Sequence, residues 1–253
     1  MNAPAPARPA TPLPPAPPRR WPSKLRGWLR RAAILGCFAV GGEPWPHPAL
    51  PLALIGLGGI LHLASKGYLV RRARVTREGP YRWVRHPFYL ANLLLENGLL
   101  LFAGAWWLVP VYMAIAHFAY NAAMDEEESD LASVHGDAWR DYAARVPRLL
   151  PWRGPGPRGD GSGFSLGNLF YEREVPRLMR LLSLPLGLAW WAAFRAQEGP
   201  LLEGLPDNLF PAPADRSALL LVAFVGAQVA SWLLGALLAA PRLDGSPRFG
   251  PRE

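Results

Sequence analysis

The stretch PFYLANLLLENGLLLFAGAWWLVPVYMAIAHFAYNAAM, residues 87–124, decides the fold. It holds two apolar runs, about Pro87 to Ala103 and about Ala105 to Met124, meeting at Gly104. So short a connection permits only an antiparallel helical hairpin. Crossing the hydrocarbon core takes roughly 20 residues, so the first run is tight and is expected to begin in the headgroup layer. Pro87 suits the first turn of that helix, where its missing N–H has no partner to lose.

Outward from the hairpin, the same blocking of apolar residues recurs. Spans are expected at about Leu25 to Gly42, Ala49 to Leu69, Leu178 to Phe194 and Ser217 to Ala240. Charged residues make up only 18% of the 253, against about a quarter in soluble domains. The predicted fold class is therefore all-α, a polytopic integral membrane protein of about six transmembrane helices.

The formal charge of +8 does not point to nucleic acid, because its distribution is topological. Basic residues gather at Arg19 to Arg31, Lys66 to Arg85, Arg140 to Arg180 and the tail, and are absent from Gly41 to Ala49 and Gly104 to Trp106. Lys and Arg resist translocation, so the basic segments and the N-terminus are placed in the cytoplasm, with the chain in the inner membrane. The lone cysteine, Cys37, excludes an intrachain disulfide and a Cys-based zinc cluster.

Four regions follow from composition. Residues 1–18, almost wholly Pro and Ala, form a disordered arm. Residues 19–153 form a core of four helices with cytoplasmic polar segments, residues 154–163 a flexible Gly/Pro linker, and residues 164–253 a C-terminal two-helix membrane extension. Gly56, Gly58 and Gly59 resemble part of a dinucleotide loop, but no strand precedes them. They read as helix-packing glycines.

Two polar segments flank the hairpin on its cytoplasmic side. One runs from Gly79-Pro80-Tyr81 to Arg85-His86-Pro87-Phe88-Tyr89. The other runs from Asp125 through Glu126, Glu127, Glu128 and Leu131 to Gly136, Trp139, Tyr142 and Val146-Pro147. His86 is expected beside a helix N-terminus, where free N–H groups favour an anionic ligand group. Glu126 to Glu128 stand at the cytoplasmic end of the next span, where they oppose the helix dipole and call for another partner. The plainer alternative is a solvated cluster paired with Arg71 to Arg85.

Taken in order and spacing, these motifs over about Leu61 to Trp152, a little over a third of the chain, resemble the superfamily of isoprenylcysteine carboxyl methyltransferases and phospholipid N-methyltransferases. The resemblance implies S-adenosylmethionine as cofactor, held at the cytoplasmic face, and a hydrophobic or amphipathic acceptor admitted from the bilayer. Carried over, it makes Gly79, Tyr81, His86, Tyr89, Glu127, Glu128 and Leu131 the cofactor-binding residues, with Arg85 and Glu128 catalytic. The chemistry agrees: carboxylates suit the ribose diol or the ammonium, and aromatic faces suit the sulfonium. Departures from the pattern are Ala91 for Gly, His135 for an aromatic, Trp139 for Tyr, and His62 where related bacterial sequences carry Arg. They suggest a divergent acceptor site.

The resemblance does not explain the polar face within the hairpin. Asn92 and Glu96 lie one turn apart and continue the face begun by Tyr89, and His117 and Asn121 lie near one stripe of the next helix. Ionisable groups within a bilayer usually face a cavity or a partner. Asn92, Glu96, His117 and Asn121 are therefore expected to line the acceptor pocket, with Glu96 also catalytic. The alternative is an interhelical Glu96–His117 pair with no role in turnover. Trp190, Trp191, Trp232 and Arg195 read as interfacial anchors, and Tyr171 to Glu174 as a surface segment or lid. A nicotinamide-dependent membrane reductase of related architecture and a non-catalytic lipid-binding protein are the competing functions.

Overall fold

The computed structural model describes residues 21–40, 47–69, 74–159, 161, 163–171, 174–196 and 216–239. The expected arm at 1–18, Arg71 and Arg72, most of the loop at 196–216 and the basic tail lie outside them.

Every regular element among the described residues is helical. The order is α1 (Trp21–Val40), α2 (Ala49–Tyr68), a 3₁₀ turn (Gly79–Arg82), α3 (Pro87–Phe102), a second 3₁₀ turn (Trp106–Leu108) and α4 (Val109–His135). Then come α5 (Asp137–Arg145), α6 (Leu166–Tyr171), α7 (Glu174–Leu182), α8 (Leu184–Ala196) and α9 (Arg216–Ala239). Among the described residues, two stretches are long and apolar enough to cross a membrane, α2 and Leu219–Ala239 of α9. Helix α3 is a shorter apolar helix of 16 residues. Leu219, Val222, Val225, Val229, Trp232 and Leu237 of α9 are all exposed, as suits a helix surrounded by lipid.

α2 and α3 pack most closely. A Cβ on Gly58 of α2 would lie 2.8 Å from Leu95 Cγ and 2.9 Å from both Ala91 O and Leu95 N of α3. One on Gly98 of α3 would lie 2.7 Å from Ile55 Cγ1 and 3.0 Å from Pro51 O. One glycine from each helix thus lets the two backbones touch. Of the three glycines expected to pack helices, Gly58 does so against α3 and Gly59 faces Leu182 of α7, while nothing lies near Gly56. Gly58→Ala should therefore lower stability by about 1–3 kcal/mol. Gly56→Ala should be neutral or raise it by about 0.5–1 kcal/mol. Thermal unfolding of both variants in detergent checks the contrast, and equal behaviour would refute the close crossing.

Three boundaries differ from expectation. The fourth helix starts at Val109, with Pro110 in its first turn, and runs unbroken to His135 instead of ending near Met124. Nothing between Met124 and Gly136 is Gly or Pro, so the change from apolar to acidic marks a change of environment and not the end of the helix. The expected span at Leu178 to Phe194 is two helices broken at Ser183. Pro185 cannot donate to the carbonyl of Leu181, four residues back, and crowds it; at the break itself Ser183 Oγ donates to Arg180 O at 2.9 Å. With α6 added, the C-terminal region holds four described helices where two were expected. Trp191, expected as an interfacial anchor, donates from Nε1 to Phe38 O of α1 at 2.8 Å.

Candidate active site

The chain after α5 folds back onto the segment before α3 through its backbone. Arg85 N–H donates to Pro147 O at 2.8 Å and His86 N–H to Arg148 O at 3.0 Å. Gly156 N–H donates to Arg82 O at 2.7 Å, and Arg82 Nε returns a bond to Gly156 O at 3.1 Å. The expected linker is thus tied down at Gly156. Tyr142 OH donates to Tyr81 O at 2.8 Å. Burial pushes the Tyr142 phenol well above its ordinary value, against the pull of Arg85 and Arg77, so it stays a neutral donor. Trp139, Tyr142 and Val146 form a small apolar core beneath these bonds, with Leu131 packed on it. Gly79 opens the 3₁₀ turn at φ +54°, and a Cβ there would run into the Tyr68 ring.

This staple brings the two polar segments together around Glu128. Its Oε1 accepts from His86 Nε2 at 2.8 Å and from Arg148 Nε at 3.1 Å, and its Oε2 lies 3.1 Å from Arg85 Nη1. Burial alone would raise the Glu128 carboxyl, but the hydrogen bond from His86 and the charges of Arg85, His86 and Arg148 outweigh it and hold the group below its usual range. Tyr89 OH donates to Glu127 Oε1 at 2.6 Å, and His86 Nδ1 stands 3.7 Å from Glu127 Oε2. The Tyr89 ring lies 5.1 Å from the ring of Tyr120, tilted by 53°. Arg148 also reaches Asp125 and, at 3.4 Å, Asn121 Oδ1.

Of the expected residues, Arg85, His86, Tyr89, Glu127 and Glu128 stand together; Tyr81 is tied in through its carbonyl to Tyr142, and Gly79 lies against the Tyr68 ring. Leu131 belongs to the apolar core below. The four expected acceptor-pocket residues divide. His117 and Asn121 pair with each other at 3.1 Å on an exposed face of α4 and join the Glu128 group through Arg148. Glu96 is 1% exposed and accepts from Arg30 Nε of α1 at 2.6 Å, from Tyr120 OH at 2.8 Å and from Tyr112 OH. The Glu96–His117 pair therefore does not form. Asn92 is buried with its Oδ1 unpartnered.

Arg148, Arg30, Tyr112 and Tyr120 were not among the expected site residues. Arg148 directly follows the Val146-Pro147 motif, and Tyr112 and Tyr120 are two turns apart on one face of α4, so signals for three of the four were present.

The residues present fit S-adenosylmethionine. Tyr89 and Tyr120, both buried, set aromatic rings beside the Glu128 group, the kind of wall a sulfonium favours, and half-exposed Glu127 offers a carboxylate to the diol or ammonium. Arg85 Nε is buried without a partner, a donor left over for the ligand carboxylate.

The model of the isoprenylcysteine carboxyl methyltransferase family matches residues 53–133, which span α2 to most of α4. Among curated proteins, methanethiol S-methyltransferase of Mycobacterium tuberculosis is 40% identical over 80 residues, 28% of this chain and 28% of its own length. Methanethiol S-methyltransferase 1 of Bradyrhizobium diazoefficiens is 36% identical over 81 residues, 29% of this chain and 25% of its own. That of Crocosphaera subtropica is 30% identical over 82 residues, 29% of this chain and 28% of its own. The chain thus matches less than a third of the length of these relatives. No solved structure matches it. The expected resemblance to the isoprenylcysteine carboxyl methyltransferases is shown over the matched segment, which carries His86, Tyr89, Glu127 and Glu128.

Proposed function

We propose that the protein is an integral membrane methyltransferase that uses S-adenosylmethionine to methylate a membrane-partitioned acceptor at the cytoplasmic side of the inner membrane. One observation carries the reading. His86, Tyr89, Glu127 and Glu128, read from sequence as one cofactor site, converge across the α3–α4 hairpin within the segment that matches the methyltransferase family.

When bound, the cofactor supplies a methyl group already activated by a positive sulfur. The residues then have little covalent work to do. They hold the donor in line with the acceptor and keep water away. Glu127 and the Tyr89–Tyr120 pair are assigned to the cation and ribose, and Arg85 to the carboxylate. Glu128 holds His86, Arg85 and Arg148 in place around them. The relatives' names give methanethiol as their acceptor, which favours a thiol acceptor in this chain too. Six spans, with the N-terminus inside, remain the proposed topology.

Titration of the purified protein in nanodiscs with S-adenosylmethionine should give binding in the micromolar range by calorimetry. His86→Ala should weaken it at least about tenfold, the value of one charge-assisted hydrogen bond. No binding by folded wild-type protein, with lipid restored, would refute the methyltransferase reading.

A further inference from the structure

The end of α2 is gripped by the chain around α6. Ser165 N–H donates to Gly67 O at 2.9 Å, and Asn168 Nδ2 lies 3.0 Å from Leu69 O and 3.3 Å from Gly67 O. This sets Glu174, the first residue of α7, against α2. Glu174 is buried; its Oε2 meets His62 Nε2 at 3.1 Å, and its Oε1 meets Lys66 Nζ at 3.4 Å and Arg177 Nη1 at 2.9 Å. Burial alone would raise this carboxyl, but the hydrogen bond from His62 and the charges of Lys66 and Arg177 bring it down to about 2. An ionised carboxylate has no hydrogen to give, so Nε2 is the donor to it, which in the neutral tautomer leaves the ring's lone pair on Nδ1. That Nδ1 is buried and unpartnered.

The His62 ring packs 4.6 Å from the ring of Phe88 on α3. One turn along α3 from Phe88 is Asn92, whose Oδ1 is another buried acceptor without a donor. Buried acceptors left unmet are costly, and a ligand bearing a hydrogen satisfies them where a carboxylate would bring only more acceptors. An ammonium would meet the positive charges of Lys66 and Arg177. Phe88 directly precedes Tyr89, with ring centroids 6.4 Å apart, so the Phe88 ring links His62 to the cofactor site.

We infer that His62, oriented by Glu174, is the catalytic base for a thiol acceptor whose sulfur lies inside the bundle beside Phe88. This rests on the methyltransferase reading and its thiol acceptor, and assigns the group that takes the thiol's proton. The S–H bond breaks and its proton passes to Nδ1, giving an imidazolium held by Glu174. The thiolate sulfur then forms the new S–CH₃ bond as the methyl leaves the donor sulfonium, whose sulfur keeps the electron pair of the broken bond. The arrangement, a carboxylate on one ring nitrogen and a bare second nitrogen, suits a general base. Glu174 lies outside the matched segment at 53–133, so the C-terminal region completes the site.

The test compares methyl transfer to ethanethiol and to the more acidic thiophenol by wild type, His62→Gln and Glu174→Gln. Each variant is checked by thermal unfolding and by calorimetry with the cofactor. His62→Gln should lose about 100-fold with ethanethiol at neutral pH and keep most of its rate with thiophenol. It should recover with ethanethiol as the pH rises and the thiol ionises unaided. Glu174→Gln should follow in the same direction by a smaller factor. Equal losses for both thiols at every pH would overturn the inference, as would preferred methylation of a carboxylic acid. A second readout needs no cofactor: nitrogen NMR of histidine-labelled protein, with five histidines in the chain and His62 assigned by its loss in His62→Gln. It should show an unprotonated Nδ1 at neutral pH that shifts when ethanethiol is added. A protonated Nδ1, or one blind to the thiol, would overturn the assignment. Wild-type protein that binds no S-adenosylmethionine would defeat the methyltransferase reading instead, and the NMR result would still decide whether His62 meets a thiol.

Discussion

Glu128→Ala should weaken S-adenosylmethionine binding by about 30-fold to 5000-fold, the 2–5 kcal/mol typical of truncating one partner of a hydrogen-bonded charge pair. The size follows from convergence. His86, Arg85 and Arg148 reach Glu128 from two separate segments at 2.8 to 3.1 Å. Its loss leaves three cationic or donor groups facing one another with nothing between them. Two of them, Arg85 and His86, open the helix that carries Tyr89, so the aromatic wall shifts as well. Because the Glu128 carboxyl is held below its usual 4.5, it stays charged throughout the neutral range. The stabilisation it gives is present above the ordinary carboxylate range and is lost only as the pH falls through the lowered value. Binding measured by calorimetry should therefore be flat near neutrality and fall only in acid. A folded Glu128→Ala protein with wild-type affinity would remove this residue from the cofactor site.

The second large effect lies deeper. Glu96→Ala should cost about 3 kcal/mol, the low end for breaking a buried ion pair, because Arg30 keeps 37% of its side chain exposed. The carboxylate ties three groups from two helices, Arg30 of α1 with Tyr112 and Tyr120 of α4, and its removal takes from all three the charged acceptor they share. Replacing both charges, as in Arg30→Met with Glu96→Met, should recover much of that loss, since a well-packed apolar pair avoids the desolvation of a buried charge. Thermal unfolding in detergent measures the cycle. If Glu96→Ala unfolds like wild type while acceptor preference changes, the carboxylate serves the acceptor pocket and not the bundle.

Local features were legible in the sequence. Pro87 opens α3, Gly104 lies in its turn, and the motifs on either side name residues that the fold then gathers around Glu128. What escaped was set by distance along the chain. Arg30 and Glu96 are 66 residues apart and His62 and Glu174 are 112 apart, and no local spacing pairs them. Arg30 fits the charge pattern of a membrane protein so well that topology alone accounts for it. The Glu96–His117 pairing failed for a related reason. Helical spacing says which residues share a stripe, but not which neighbouring helix that stripe meets. The Ser183 break was signalled by Pro185, which the apolar character of the run masked.

The bonds from Arg85 and His86 to Pro147 and Arg148 are made by main chain on both sides. Side-chain identity at 147 is therefore free to drift, while that at 148 is held by its bond to Glu128. The clasp stays tight provided the amide count between Tyr142, anchored on Tyr81 O, and Pro147 is kept. An inserted or deleted residue there would put a different carbonyl opposite each amide. For relatives of this chain, that makes the length of this short stretch a stricter signature than its letters, one read by counting residues rather than by matching them.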